Sequence, residues 1–330
     1  MKAASQSNYG PPSVLKVQEV ERPSVGKGQI LIEVHASPVT HGDRRLRAAD
    51  FPGIGAVIGR LMFGVFAPRY PVPGTMFAGR VVELGEGVTR FAVGDRVFGS
   101  CDNGAHAELL AVDAGSAVAH IPEGIDTQAA AATPYGAVTA LVFLRDIAKV
   151  QPGERVLVVG AAGGVGRYGV QIAKHLGATV TAVCGGRDAD LVRDLGARDV
   201  IDYKTTDYTQ TGATWDVVFD TVTGAGFSAA RTCLSDGGRY VTLYMELRTL
   251  MQGLISSLSS GPKAKAGVAM GSQQLLSDLA ELLAAGSVRP TVAQTFPLSR
   301  IGEAHAALEA GVHGEVMVAI QPALRLAKVS

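Results

Sequence analysis

Two stretches of this 330-residue chain carry side chains and glycines spaced for chemistry. The first is Ala161-Ala162-Gly163-Gly164-Val165-Gly166, set between the β-branched run Arg155-Val156-Leu157-Val158-Val159 and an apolar-periodic segment, Val165 to Leu176. Strand, glycine turn and helix in that order build a pyrophosphate site, because small residues let the backbone approach the phosphates while the helix N-terminus supplies oriented N–H donors. Ala161 stands as the first small residue of a G-x-G-x-x-G pattern, Gly163 allows close approach, and Gly166 lets the helix pack on the strand. Ala162, Gly163, Gly164 and Val165 are the expected phosphate contacts. The second stretch, Thr40-His41-Gly42-Asp43-Arg44-Arg45-Leu46-Arg47, gathers a hydroxyl, a carboxylate and three guanidinium groups. Such donors can stabilise negative charge that develops on a substrate oxygen.

Cofactor choice is read at the tip of the next strand, Thr179 to Val183, which ends in Cys184-Gly185-Gly186-Arg187. No acid stands in that tip to accept from an adenine ribose hydroxyl, Gly185 and Gly186 leave space, and Arg187 can pair with a 2′-phosphate as a bidentate donor. NADPH is expected over NADH. Asp188 opposes that charge, and Arg187 also reads as a solvated helix-entry arginine. Tyr203 reads either as a second phosphate contact or as a half-buried core tyrosine.

Behind these motifs two element rhythms alternate. Up to about residue 120 the chain reads as short strands, such as Gln29 to His35, Gly79 to Gly85 and Asp95 to Gly99, which form a barrel-like β domain. From Pro122 helices alternate with strands at Arg155 to Val159, Thr179 to Val183, Val200 to Asp202, Asp216 to Asp220 and Gly238 to Thr242, the signature of a right-handed parallel sheet. A helix is expected at Ser272 to Ala285, capped by Gly286, then a strand from Arg289, a helix capped by Ser299, and a strand at Val316 to Ile320. The expected domains are 1–121 completed by 290–330, and 122–289.

Composition removes other classes of function. With 30 Lys and Arg against 30 Asp and Glu there is no excess charge for a polyanion, so nucleic acid is excluded as the main partner. Cys101, Cys184 and Cys233 lie far apart, without the pairing of a disulfide framework or clustered zinc site. The longest charge-free stretch, about Ala129 to Leu144, is shorter than the roughly 18 residues of a membrane span, and the polar start Met1 to Gln6 lacks a secretory core. A cytoplasmic location is expected.

Gly79 to Val88, Phe91 with Gly94-Asp95-Arg96-Val97, Thr139-Ala140, the Ala161 to Gly166 turn, and Leu195 to Tyr203 together resemble the medium-chain dehydrogenase/reductase superfamily, nearest its zinc-independent quinone oxidoreductases. The resemblance covers essentially the whole chain. It implies an α/β protein: a GroES-like β-barrel catalytic domain interrupted by a Rossmann doubly wound parallel-sheet domain and completed by the C-terminal tail. It implies positions beside the cofactor for Tyr135, Thr139, Thr221, Val222, Leu243, Tyr244 and Gly314. Zinc-dependent relatives carry Cys and His where this chain has Thr40 and Thr75, so no metal is expected. Relatives often have Asn, Asp, Tyr or Lys, then Arg where this chain has Thr40, Asp43, Arg45 and Arg47.

Without a Lewis acid, conjugated acceptors suit the chemistry best, since charge spreads to an oxygen that one or two donors can hold. The expected activity is metal-free hydride transfer from NADPH to a small hydrophobic quinone or enone. Thr40, Asp43, Arg45 and Tyr135 are the catalytic candidates, with Asp43 orienting the loop and Arg45 facing the oxyanion. An enoyl-thioester reductase and a non-catalytic NADPH-binding protein remain open. Two apolar stretches, Phe51 to Phe66 and Leu243 to Leu258, read either as the walls of a wide entrance for a bulky acceptor or, for the second, as a homodimer interface. His106 reads as a pocket or core histidine.

Overall fold

Alternating Ile30, Ile32 and Val34 set one face of the longest strand of the N-terminal region, and the rest of that region is built around it. The computed structural model describes residues 1–51, 55–222, 224–244, 247–258 and 260–320, with the side chains of 55–58 outside the description. Along the chain come β1 (Lys2–Ser5), β2 (Lys16–Glu19), β3 (Gln29–Val39), α1 (His41–Ala48), α2 (Gly55–Phe63), β4 (Met76–Leu84), β5 (Arg96–Ser100), β6 (Leu109–Asp113), β7 (Val118–His120) and α3 (Thr127–Ala132). Next come α4 (Thr139–Leu141), β8 (Arg155–Val159), α5 (Gly166–His175), β9 (Thr179–Cys184), α6 (Ala189–Leu195), β10 (Asp199–Asp202), β11 (Trp215–Asp220) and α7 (Gly226–Ala230). They are followed by β12 (Leu234–Thr242), α8 (Leu247–Ser257), β13 (Lys263–Ala266), α9 (Gln273–Ala284), β14 (Val292–Pro297), α10 (Ile301–Glu309) and β15 (Glu315–Ala319).

Two compact units result. The first holds Met1–Tyr135, Gly271–Ala284 and the chain from Pro290; the second holds Gly136–Met270 and Ala285–Arg289. Helices α3 and α9, which fall inside the 122–289 segment of the sequence reading, group with the first unit.

In the first unit β3 pairs antiparallel with β4 along one edge and with β6 and then β15 along the other, giving a seven-stranded sheet in the order β14-β15-β3-β4-β5-β7 with β6 beside β3. The fold is GroES-like. Its core gathers Ile30, Ile32, Val34, Phe77, Val97 and Val118, all fully buried.

The second unit is a six-stranded, wholly parallel sheet in the order β10-β9-β8-β11-β12-β13, a Rossmann arrangement. Strand β13 was absent from the sequence reading, because Lys263-Ala264-Lys265-Ala266 offers a period of two but no β-branched residue. It forms because Ala264 is buried, while the Lys263 and Lys265 ammonium groups donate to the carbonyls of Ser256 and Ile147.

One cap falls elsewhere than expected. Helix α10 starts at Ile301 with Arg300 at its cap, and Ser299 lies in the preceding tight turn, Leu298–Arg300, one residue too early to receive a first-turn amide. The Arg300 guanidinium instead bonds Glu303 across the first turn.

The first unit also buries a polar cluster. His106 is fully buried and its Nε2 lies 3.2 Å from the Pro38 carbonyl, which can only accept, so Nε2 carries the proton. His305, equally buried, takes a bond from Arg47 Nη1 at 3.2 Å on Nδ1, which places its proton on Nε2. The rings meet edge to face with centroids 5.9 Å apart, and the atoms left without a partner are one acceptor, His106 Nδ1, and one donor, His305 Nε2. Arg47 is held besides by the Gly10 carbonyl and Glu309.

Burial holds both imidazoles below the usual histidine range, against the raising field of Asp43 on His106 and with the lowering field of Arg47 on His305. Below about pH 6.5 the unfolded chain therefore binds protons that the folded chain refuses, so stability is full above that pH and is lost as pH falls. Urea midpoints are expected to be flat from about pH 8 to 7 and to decline below about 6.5. His305→Gln is expected to flatten the decline; an unchanged acid slope in that variant counts against a neutral buried pair.

Candidate functional site

Each unit contributes its own cluster, and that of the second unit is built on the carboxyl edge of the parallel sheet. Strand β8 leaves the sheet through Gly160, whose φ of +78° is left-handed, and the chain turns through Ala161 to Val165 into α5. The left-handed residue of the turn is Gly160, and Ala161, the first small residue of the pattern, is fully buried. A Cβ at Gly160 would lie 2.7 Å from both the Thr221 hydroxyl and a Val222 methyl. A Cβ at Gly166 would lie 2.1 Å from the Gly160 carbonyl oxygen, so only glycine lets α5 start this close to β8. Gly163 and Gly164 differ: beyond the Gly160 oxygen at 3.1 Å from the former, nothing stands within 4 Å of an added Cβ. That open space above a helix N-terminus fits a pyrophosphate. Gly136 presses on the same turn, its Cβ position 2.6 Å from the Gly164 oxygen, which brings the segment leading to Thr139 against it.

The order β10-β9-β8-β11-β12 then aligns the remaining candidates in one row. Tyr203 follows β10, Gly185 to Arg187 follow β9, Ala162 to Val165 follow β8, Val222 follows β11, and Leu243 and Tyr244 follow β12. At about 4.8 Å per strand the row spans about 19 Å, room for an extended dinucleotide. The fit is local as well as linear. Thr221 donates to the Val159 carbonyl at 2.8 Å, and the Asp220 carboxylate takes the Val222 and Gly224 amides and the Tyr240 hydroxyl at 3.0, 3.2 and 2.7 Å. Burial raises the Asp220 carboxyl above its ordinary range while these bonds oppose the rise. Asp220 was missed in the sequence, although its place as the last residue of β11 was the available signal.

The β9 tip corrects one expectation. Its own residues are free of acid, but Asp202 at the end of the neighbouring β10 sits over it: a Cβ at Gly186 would lie 2.6 Å from an Asp202 oxygen. Burial, with Asp188 and Asp202 nearby, pushes the Cys184 thiol up to about 11. Arg187 is largely exposed, with its Nε 3.7 Å from Asp188. Tyr203 is also exposed rather than part of the core.

In the first unit α1 starts with a capping box. Thr40 donates its hydroxyl proton to Asp43 at 2.7 Å and accepts from the Asp43 amide at 3.1 Å, while the Thr40 amide donates to the same carboxylate at 2.8 Å. Thr75 donates to the second Asp43 oxygen at 3.0 Å. Asp43 is fully buried and Thr40 nearly so, and the Tyr135 ring stands 3.4 Å from the Cβ position of Gly42. The arginine run divides. Arg44 pairs with Asp50 and Glu309, Arg47 is buried among its partners, and the Arg45 guanidinium has no hydrogen-bond or ion-pair partner among the described residues. Cys101 is pushed up by burial and by Asp43, so it is a neutral thiol. Thr40 and Thr75, which stand where the resemblance puts the zinc ligands of zinc-dependent relatives, both donate their hydroxyl protons to Asp43. Among the described residues no group of three or more His, Cys, Asp or Glu could hold a metal ion.

The apolar stretches are helical in part. Of the first, Leu61, Met62 and Phe66 are exposed, Ile54 lies outside the described residues and the side chains of Val57 and Ile58 are not described. Of the second, Leu247 to Ser257 form α8, and Met245 lies outside the described residues.

Comparison with known proteins places the chain among oxidoreductases. Residues 26–123 match the alcohol dehydrogenase GroES-like domain family, and residues 195–314 match a family described as zinc-binding dehydrogenase. The chloroplastic quinone-oxidoreductase QR1 of Triphysaria versicolor is 30% identical over 335 residues, covering 96% of this chain and 98% of that protein. The human mitochondrial NAD(P)H oxidoreductase RTN4IP1 is 32% identical over 340 residues, covering 92% and 85%. The structure of Escherichia coli quinone oxidoreductase complexed with NADPH superimposes with a TM-score of 0.80 at 25% identity, covering 97% of this chain and all of that one.

The glycines give a contrast to measure. Gly166→Ala forces backbone contact and is expected to cost about 1–3 kcal/mol in urea unfolding, whereas Gly164→Ala is expected to fold with wild-type stability and to bind NADPH at least tenfold more weakly by calorimetry.

Proposed function

This chain belongs to the medium-chain dehydrogenase/reductase superfamily, in its quinone oxidoreductase-like group, and we propose that it reduces quinones and α,β-unsaturated carbonyls with NADPH and without a metal ion. That it is an NAD(P)H-dependent oxidoreductase follows from its relatives. The observation that carries the finer reading is the pair of threonines, Thr40 and Thr75, that spend their hydroxyl protons on Asp43 where a metal site would need ligands.

The roles follow from which groups are already engaged. Bound NADPH supplies the hydride. The row from Tyr203 to Tyr244 holds it, with Ala162 to Val165 at the pyrophosphate and Thr139, Val222, Leu243 and Tyr244 toward the nicotinamide. Arg187 and Tyr203 select the 2′-phosphate, and Asp202 moderates that preference from the neighbouring strand. Thr40 and Asp43 are positioning residues: they lock the start of α1. Arg45, whose guanidinium is uncommitted, stabilises charge on the acceptor oxygen, and Tyr135 is the second donor. A homodimer accompanies this reading, since among the described residues the parallel sheet is open, with β10 and β13 as its edge strands.

Three measurements test the proposal. Initial rates of NADPH oxidation against a quinone and enone panel are expected to be unaffected by chelator and to exceed those with NADH, and elemental analysis is expected to find no stoichiometric zinc. Arg45→Ala is expected to lower kcat/KM about 10- to 100-fold with NADPH affinity unchanged; full activity removes Arg45 from the oxyanion role. Arg187→Ala is expected to shift preference toward NADH by about tenfold, a loss of about 1.4 kcal/mol at the phosphate. Saturable NADPH binding without turnover of any acceptor would leave a binding protein, and turnover confined to enoyl thioesters would select that class of substrate.

A further inference from the structure

Asp220 is a fully buried carboxylate whose bonds satisfy its oxygens and leave its charge unanswered. One oxygen takes the Val222 amide and the other takes the Gly224 amide and the Tyr240 hydroxyl. A Cβ at Gly224 would lie 3.1 Å from one oxygen and 3.4 Å from the other, so the chain after β11 is wrapped tightly on the carboxylate. All three donors are neutral. Among the described residues no Lys, Arg or His pairs with it, and the groups that hold its charged form are these three alone. The other titratable neighbour, Tyr208, is pushed up by burial and by Asp220 itself, as Tyr240 is, so both phenols stay protonated. Elsewhere in the same unit Glu154, only partly buried, is paired with Arg239. A buried charge without a partner is costly, and holding a loop accounts for the hydrogen bonds of Asp220 but not for that cost.

Strand order says where that charge sits. Asp220 is the last residue of β11, level with Val159 of β8 on one side and Thr242 of β12 on the other. In the row proposed above the tip of β9 reads the 2′-phosphate and the turn after β8 takes the pyrophosphate, so β11 is the first strand on the nicotinamide side. Val222, whose amide Asp220 holds, is exposed there. In the reaction the acceptor gains two electrons and one proton as hydride, its oxygen takes a second proton from water, and the ring that gave the hydride is left with one positive charge. We propose that the buried Asp220 carboxylate is the counter-charge for that ring, so that the protein binds NADP⁺ in preference to NADPH and draws hydride toward the acceptor. Its repulsion of the phosphates is the same for both forms and cancels between them, while the attraction for the ring acts on the oxidised form only. This rests on the reductase reading above and adds a regulation to it, inhibition by the oxidised cofactor.

The test is calorimetry on the full-length protein at about pH 8, where the carboxyl is ionised, with NADP⁺, NADPH, NAD⁺ and NADH as titrants. The quantity read is the ratio of dissociation constants, oxidised over reduced, within each pair. Asp220→Asn keeps the size of the side chain and removes its charge. Its ratio is expected to rise about tenfold in both pairs, which is about 30 mV in the potential of a two-electron couple. If both forms weaken alike and the ratio stays, Asp220 only holds the loop and the proposal is overturned. A rise confined to NADP⁺ and NADPH puts the effect at the 2′-phosphate and overturns it as well. Tyr240→Phe removes a donor and keeps the charge, which is then less screened, so its ratio is expected to fall about twofold. An unchanged or raised ratio in that variant counts against the counter-charge, and it decides the matter should Asp220→Asn fail to fold by circular dichroism. Initial rates with a quinone acceptor separate the two readings: a shifted ratio without turnover of any acceptor overturns the reductase reading alone, and turnover with an unshifted ratio overturns the role of Asp220 alone. Absence of binding by all four nucleotides overturns both.

Discussion

The nucleotide-binding unit depends on one close approach, the meeting of the first residue of α5 with the last turn of β8. There Gly166 faces the Gly160 carbonyl with no room for a methyl group. This contact fixes where the helix starts, so its N-terminal donors open onto clear space beside Gly164. Gly136, Thr221 and Val222 pack around the same junction, and Asp220 gathers the loop beyond β11 by accepting two amides and a tyrosine hydroxyl. The turn is a shape that backbone packing imposes, and neighbouring side chains are trimmed to it.

The other unit organises its chemistry by the opposite means, a buried charge held by hydroxyls. Asp43 accepts from Thr40, from the Thr40 amide and from Thr75, and among the described residues no ion-pair partner is bonded to it. The same bonds start α1, so the cap of the helix and the setting of the reactive loop are one structure. They also sort the arginines. Arg44 and Arg47 tie α1 to Glu309 on α10, and Arg45 has no hydrogen-bond or ion-pair partner among the described residues. Threonines therefore stand at the positions where the resemblance would put zinc ligands, and their hydroxyls donate to Asp43.

The apolar stripe of α8 belongs to this division of labour. Most of the protein hides its large side chains, as β3 and the parallel strands do, but α8 is fastened by serine, glutamine and glycine contacts and leaves its leucines largely exposed.

Much of this was legible in the sequence. Period-two alternation marked β3, β-branched runs marked β8, β9 and β11, and the strand, glycine and helix order around Ala161 to Gly166 marked the turn between β8 and α5, because local backbone demands are written in local residue types. The sequence also named Thr40, Asp43 and Arg45 as neighbours, since they share two turns of helix. It could not show that Gly160 rather than Ala161 takes the left-handed turn, that Thr75 reaches Asp43 across 32 residues, or that Asp202 stands over the acid-free tip of β9. Nor could it tell that the leucines of α8 face outward, for periodicity marks a stripe without saying which side the protein occupies. Those facts come from strand order and packing, where residues far apart in the chain meet and compete for the same space and the same hydrogen bonds.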